Sequence, residues 1–200
     1  MNKALLVLLH GYGSDPTAMG AIGQQLASIV PGLTVLTPHG DSAPGGGYRW
    51  FPISSASEDE IDRGARAAAP RLHRYLDEQK QRLGLREDQI VLGGFSQGAI
   101  LALHVGLRRP EPPGAILAYA GFLSGRDRLA DITCRPPVTI VHGQKDPIVP
   151  VAAHHLSVQA LQSAGVPVTS HVSPQTGHSV DATGLSLAVQ TLLGVLKSRV

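Results

Sequence analysis

The sequence has one cysteine in 200 residues, Cys134, so no internal disulfide can staple the chain and stability must come from a packed core. Beside "RPP", that thiol reads as a small buried hydrophobe. Charge is also slight. The formal net charge is +2, and no basic cluster exceeds the pair Arg108–Arg109, which falls where the last turn of a helix favours cations. No footprint for a polyanion is present, and a nucleic-acid partner is not expected. Long apolar runs are missing too. "MNKALLVLL" carries Lys3 and then six apolar residues, short for the core of a secretory signal, and "HGYGSD" follows in place of a small-residue cleavage site. A buried strand accounts for it better. With no stretch long enough to cross a bilayer, integral membrane association is not expected and the cytoplasm is the default location. Internal repeats, low-complexity tracts and linkers are likewise lacking. Composition, 42% hydrophobic and 16% charged, argues against disorder, and the length suits one domain, 1–200, with a sizeable core.

What is present is an alternation of short apolar runs and helical patterns. Strands are expected at Ala4–Leu9, Leu33–Pro38, Ile90–Phe95, Ala115–Tyr119, Val138–His142 and Val166–Val172. Several are apolar throughout, as parallel strands covered on both faces are. Helices are expected over Thr17–Ile29, Gln97–Arg108, Val151–Ala164 and Thr183–Lys197. A longer one starts at Ser57, where "SEDE" forms a capping box with Glu60, and continues through Ile61, Ala65, Ala68, Leu72 and Leu76. Pro70 should kink or split it. The result is an α/β fold, a mainly parallel sheet with right-handed crossovers and helices on both faces. The most irregular stretch is "APGGGYRWFP" (43–52).

"GGFSQGAI" (93–100) sets one serine among three glycines, where a strand ends and a helix begins. Gly94-Phe95-Ser96-Gln97-Gly98 fits G-x-S-x-G, a sharp strained turn that projects the serine hydroxyl from the sheet. The glycines let strand and helix approach closely, and the helix start directs unpaired N–H groups at the site. A serine nucleophile needs a base, and the base needs an orienting acid. Of nine histidines, His73 and His104 lie in helical patterns and His39 precedes the serine. After it, His142 ends a strand, His154 and His155 lie on a helix, and His171 belongs to a strand. His178, in "PQTGHSV", lies on a loop that can bring it over Ser96. For the acid, "VHGQKDPIVP" (141–150) places Asp146 on a turn stiffened by Pro147 and Pro150, with Asp127, Asp131 and Asp181 as rivals. The glycines of "LLHGYGSD" (8–15) free backbone N–H groups, so Tyr12 and Gln97 are the expected oxyanion donors. His10 reads as a residue that holds that loop. The order Ser96, Asp146, His178 is that of α/β-hydrolases.

From "LLHGYGSD" through "GGFSQGA" and "HGQKDPIVP" to "TGHSV", nearly end to end, the chain resembles the phospholipase/carboxylesterase family of α/β-hydrolases, which includes acyl-protein thioesterases. The resemblance implies a hydrolase of carboxylic esters or thioesters that uses no metal or cofactor. It also implies that Trp50 and Phe51, in "YRWFPI", line the acyl site, with Phe122, Leu123 and Ile148 nearby. Two positions depart from patterns common in the family: Pro52 stands where aspartate often follows the Trp-Phe pair, and Ser179 where glutamate often follows the histidine. The fold is small for its superfamily, and "AGFLSGRDRLADITCRPP" is too short for a large lid. An open, partly apolar groove then suits short to medium acyl chains, hydrolysed through an acyl-enzyme. Because the base must be neutral, activity should rise through roughly pH 6–8, around the ordinary histidine value. Alternatives are an acyl-protein thioesterase, a lysophospholipase-type or acylglycerol hydrolase, a serine peptidase, and a catalytically silent binding protein on the same fold. A monomer and a homodimer both fit the sequence.

Overall fold

A computed structural model describes residues 3–197 of the chain. Along it run β1 (Ala4–Leu9), α1 (Pro16–Ile29), β2 (Leu33–Leu36), a small antiparallel ribbon of β3 (Asp41–Ser42) and β4 (Tyr48–Arg49), and α2 (Glu58–Leu83). Then come β5 (Ile90–Phe95), α3 (Gln97–Gly106), β6 (Ala115–Tyr119), β7 (Val138–Gly143), α4 (Val151–Ser163), β8 (Val168–Ser173) and α5 (Ala182–Lys197). Six strands form one parallel sheet in the order β2-β1-β5-β6-β7-β8.

The central strands β1, β5, β6 and β7 are buried almost throughout because both their faces are covered, whereas the edge strands β2 and β8 are partly exposed. In β1, Leu5, Val7 and Leu9 pack into a cluster with Leu72 and Leu76 of α2 and Leu101 and Val105 of α3. Ala4, Leu6 and Leu8 face the opposite way, toward Met19 and Leu26 of α1 and Ala188 and Leu192 of α5. Each fully buried Leu contributes about 1.5–3 kcal/mol over an exposed one. The chain runs outward from β1 to β2, then returns to β5 on the other side of β1. The order therefore reverses between β1 and β5, and the crevice beyond their carboxyl ends is where such sheets bind ligands.

Three local expectations are corrected. Ser57 does cap α2, its Oγ accepting from the N–H of Glu60 at 3.3 Å. The reciprocal half of the capping box is absent, because the Glu60 carboxylate instead accepts from the N–H groups of Ser54, Ser55 and Ala56, each at 2.8 Å. Pro70 does not divide α2, which runs unbroken for 26 residues with the proline exposed on its solvent side. Arg109 lies beyond the end of α3 and is buried, not solvated. Its guanidinium donates to Glu87 at 2.6 and 3.0 Å and to Asp77 at 2.5 Å, and Lys80 adds a bond to Glu87 at 2.9 Å. That network ties the second half of α2 to the segment after α3. Cys134 is buried, its thiol against the carbonyl of Gly106 at 3.2 Å. Among the described residues no helix is long and apolar enough to cross a membrane.

Candidate active site at the carboxyl end of the sheet

Ser96 stands between β5 and α3 with φ 53° and ψ −117°, a backbone conformation that L-residues avoid. Holding a non-glycine residue there costs on the order of 1–3 kcal/mol, which the surroundings must supply. They do so through backbone. The N–H of Ser96 donates to the carbonyl of Tyr119 at 2.8 Å, and its own carbonyl accepts from Ala99 and Ile100 at 3.0 and 3.1 Å. A Cβ on Gly94 would overlap the carbonyl of Gly98, and one on Gly98 would overlap the carbonyls of Leu9 and His10. The three glycine-flanked segments thus meet with no side chain between them, which is why the serine turn can be so tight.

The loop after β1 lies against this turn. A Cβ on Gly11 would come within 3.2 Å of the Phe95 ring and 3.4 Å of Ser96 Cβ. The N–H of Gly13 donates to Tyr48 at 2.8 Å and that of Ser14 to Gly11 at 3.2 Å. Among the described residues no protein acceptor takes the N–H of Tyr12 or of Gln97, the two expected oxyanion donors.

On the other side, Asp146 sits on the turn after β7 with its carboxylate fully buried. Oδ1 accepts from the N–H groups of Ile148 and Val149 at 2.8 and 2.9 Å, and Oδ2 accepts from His178 Nδ1 at 2.7 Å. Burial pushes the Asp146 carboxyl up, but the bonds from His178, Val149 and Ile148 outweigh it and hold the group below its ordinary value. With Nδ1 committed to a carboxylate as donor, the proton resides there and His178 Nε2 is the basic nitrogen. The His178 ring, 19% exposed, packs at 4.7 Å between centroids on Phe95, the residue before Ser96. Gly143 is pressed against the carbonyls of Thr176 and Gly177, and Lys145 N–H donates to Thr176 at 3.0 Å, so the acid and histidine loops are joined.

The rival groups are engaged elsewhere. His154 is buried, its Nε2 at 2.9 Å from Ser170 Oγ; His155 is exposed on α4; His73 bonds to Arg109. Asp181 accepts from Gly184 N–H at 2.8 Å at the start of α5, and Asp127 and Asp131 are exposed. His142 has a part that sequence reading missed. Its Nε2–H donates to the carbonyl of Val149 at 2.9 Å and lies 3.3 Å from Asp146 Oδ2, buttressing the acid turn from behind.

The five expected pocket residues scatter. Phe51 is 3% exposed and packs with Ile61, Ala65 and Ile100 against Gly64; Leu123 is 1% exposed in the main core, its N–H bonded to Ser157. Neither offers surface to a substrate. Phe122 is half-buried, Trp50 is half-buried with its ring on His10, and Ile148 is exposed. The connection from β6 to β7 contributes only a 3-10 segment, Arg126–Asp131, and no large lid. Among the described residues no group of three His, Cys, Asp or Glu is arranged to hold a metal ion.

A parallel sheet with this chain order, a serine on a strained strand-to-helix turn and an Asp–His pair on neighbouring loops define an α/β-hydrolase. The sequence profile described as Phospholipase/Carboxylesterase matches residues 1–194, and the chain belongs to that family. It is 29% identical over 192 residues to Esterase YpfH of Escherichia coli, spanning 95% of this chain and 82% of that one. It is 30% identical over 206 residues to acyl-protein thioesterase 1 of Gibberella zeae, spanning 89% and 84%. The solved structure of esterase PE8 superposes with a TM-score of 0.93 at 35% identity, covering 98% of this chain and 94% of that one. The protein is accordingly a serine hydrolase of the carboxylesterase/thioesterase type.

Proposed function

We propose that Ser96, Asp146 and His178 form the catalytic triad, with the N–H groups of Tyr12 and Gln97 as the oxyanion hole, and that the substrates are short to medium acyl esters or thioesters. The observation that carries this is the 2.7 Å bond between His178 Nδ1 and Asp146, set beside the strained serine turn. Ser96 Oγ attacks the acyl carbon while His178 Nε2 takes its proton, and the negative oxygen accepts from the two N–H groups. His178 returns the proton to the departing alcohol or thiol. Water then attacks the acyl-enzyme, gives a proton to His178, and Ser96 leaves with that proton restored to it.

The chain-length preference follows from openness. Among the described residues no lid encloses the serine, and Tyr12 and Ile148, on the loops after β1 and β7, are among the exposed large hydrophobic residues at 39% and 66%. Such a surface holds a few methylenes and leaves a long chain in water. The reading extends to a single domain over 1–200, a cytoplasmic location and no nucleic-acid partner.

A chain-length series of paired oxygen esters and thioesters, run beside Ser96→Ala, tests both parts. We expect a maximum between butyrate and octanoate in the wild type and no turnover in the variant. Activity that climbs steadily to palmitate would overturn the open-groove reading, and turnover by Ser96→Ala would overturn the triad.

A further inference from the structure

The two N–H groups assigned to the oxyanion sit on segments that follow different strands, Tyr12 on the loop after β1 and Gln97 at the first position of α3 after β5. Donors must lie about 2.7–3.1 Å from the developing negative oxygen, so their mutual spacing matters to a few tenths of an ångström. One residue joins the two segments. The backbone N–H of Trp50 donates to Gln97 Oε1 at 2.8 Å, and Gln97 Nε2 donates to the carbonyl of Phe51 at 2.8 Å, so the buried amide of Gln97 is held from both ends. At its other end, the indole Nε1–H of Trp50 donates to the carbonyl of His10 at 2.9 Å. The indole also stacks on the His10 imidazole, 4.9 Å between centroids and 26° between planes.

His10 is itself immobilised. It is fully buried, its Nδ1 lies 2.8 Å from the carbonyl of Gly11, and its Nε2 accepts from the N–H of Gly40 at 3.2 Å. Those bonds require the proton on Nδ1. Burial keeps the ring neutral by lowering its pKa, so the tautomer is fixed. The carbonyl that receives the indole is also the one that Gly98 presses against at the start of α3. The contacts close a circuit: Gln97, Trp50, His10, then along the chain through Gly11 to Tyr12.

We propose that Trp50 is a positioning residue for ester hydrolysis, a clamp whose backbone and indole N–H groups fix the spacing of the Gln97 and Tyr12 oxyanion donors. This rests on the assignment of those donors. It gives Trp50 a different task from lining the acyl site, because its polar atoms face inward to protein carbonyls and amides.

Two replacements test it. Trp50→Phe keeps the stack on His10 and both backbone bonds but deletes the indole N–H. Because Trp50 is the only tryptophan in the chain, it can also be exchanged globally for benzothienylalanine, which keeps the shape and lacks the donor, with 5-fluorotryptophan as the conservative control. Active-site titration with a fluorophosphonate normalises each protein for correctly folded sites. Removing an oxyanion donor outright costs about 10²–10³ in kcat, so loosening the pair should cost about ten- to a hundredfold. We expect that fall in kcat to be equal for butyrate and octanoate esters, with KM unchanged. Affinity for an arylboronic acid, which forms the tetrahedral adduct, should fall in parallel, and fluorotryptophan should restore both. A rise in KM that grows with acyl length at constant kcat would overturn the clamp in favour of a lining role. Unchanged kcat and boronate affinity would overturn it as well, and if Ser96→Ala is inactive in the same assays the triad reading survives that failure.

Discussion

On the side of Ser96 the site is backbone against backbone: Gly94 on Gly98, Gly98 on the carbonyls of Leu9 and His10, and the serine N–H on Tyr119. On the side of Asp146 and His178 it is side chain against side chain, a buried carboxylate receiving an imidazole and two amide N–H groups while a second imidazole supports the turn. The first half holds a strained turn in place by leaving no room for it to relax. The second tunes charge and tautomer by hydrogen bonds. Adding an atom should damage the first half, and removing a polar atom should damage the second.

The largest effects concern chemistry alone. Ser96→Ala should lower kcat about a million-fold, as expected when a triad acts as a unit, while the thermal midpoint stays within a few degrees of wild type. Asp146→Asn should cost about 10⁴ in kcat, since an amide cannot hold the imidazole in the right tautomer, and circular dichroism should show a folded protein. If either variant unfolds, the two halves are not separable as described.

Gly98→Ala probes the opposite failure. One methyl driven into the carbonyls of Leu9 and His10 should cost about 3 kcal/mol of unfolding free energy in urea titrations, together with most of the activity. A stable, active Gly98→Ala protein would show that the backbone packing there is dispensable.

The smallest effect is a dependence on acid. Burial first, then neighbouring cationic groups, lower His104 of α3 to about 3 and His154 of α4 to about 4. In the unfolded chain both titrate at about 6.5, so between those values the unfolded form binds more protons and stability falls as pH falls. At pH 5 each should subtract about 2 kcal/mol relative to pH 7. Asp146 adds nothing in that window, because its lowered pKa keeps it ionised there and its contribution is lost only at more acidic pH. His154→Gln should remove part of the acid sensitivity in urea melts at the two pH values, with His104, His10 and His73, all lowered by burial, supplying the rest. An unchanged slope would mean that His154 is not the group responsible.

The residues proposed as nucleophile, acid and base were legible in the sequence because each follows a strand end beside glycine or proline, and because their order along the chain is itself a signal. The interiors of the six strands of the main sheet were legible from their apolar runs, with errors at the ends: Leu33–Pro38 was expected where β2 stops at Leu36, and the short ribbon of β3 and β4 was not foreseen. The misreadings share one cause. Arg109 and Glu60 each had a satisfying local interpretation, as a helix-end cation and half of a capping box. Both were taken by partners that the local pattern does not reveal, Glu87 and Asp77 for the first, Ser54 and Ser55 for the second. Trp50 and Phe51 read as a pair, yet the chain bends there after β4, and one ring stacks on His10 while the other packs with Ile61 and Ala65 of α2. The bridging amide of Gln97 depends on contacts across the fold that nothing in its neighbourhood marks, whereas His142 reaches Val149 and Asp146 over the single turn that follows its strand.

The joining of the acid turn to the histidine loop has a consequence for how the site can come apart. Gln144 and Lys145 are anchored to Ser173 and Thr176, so the proposed acid and base come together only once β8 has paired with β7. Were β8 to detach, Ser96 would keep its turn, which β5, β6 and the loop after β1 hold, and would lose the base proposed for it. Fraying of this one edge of the sheet should therefore silence hydrolysis while leaving the serine turn intact.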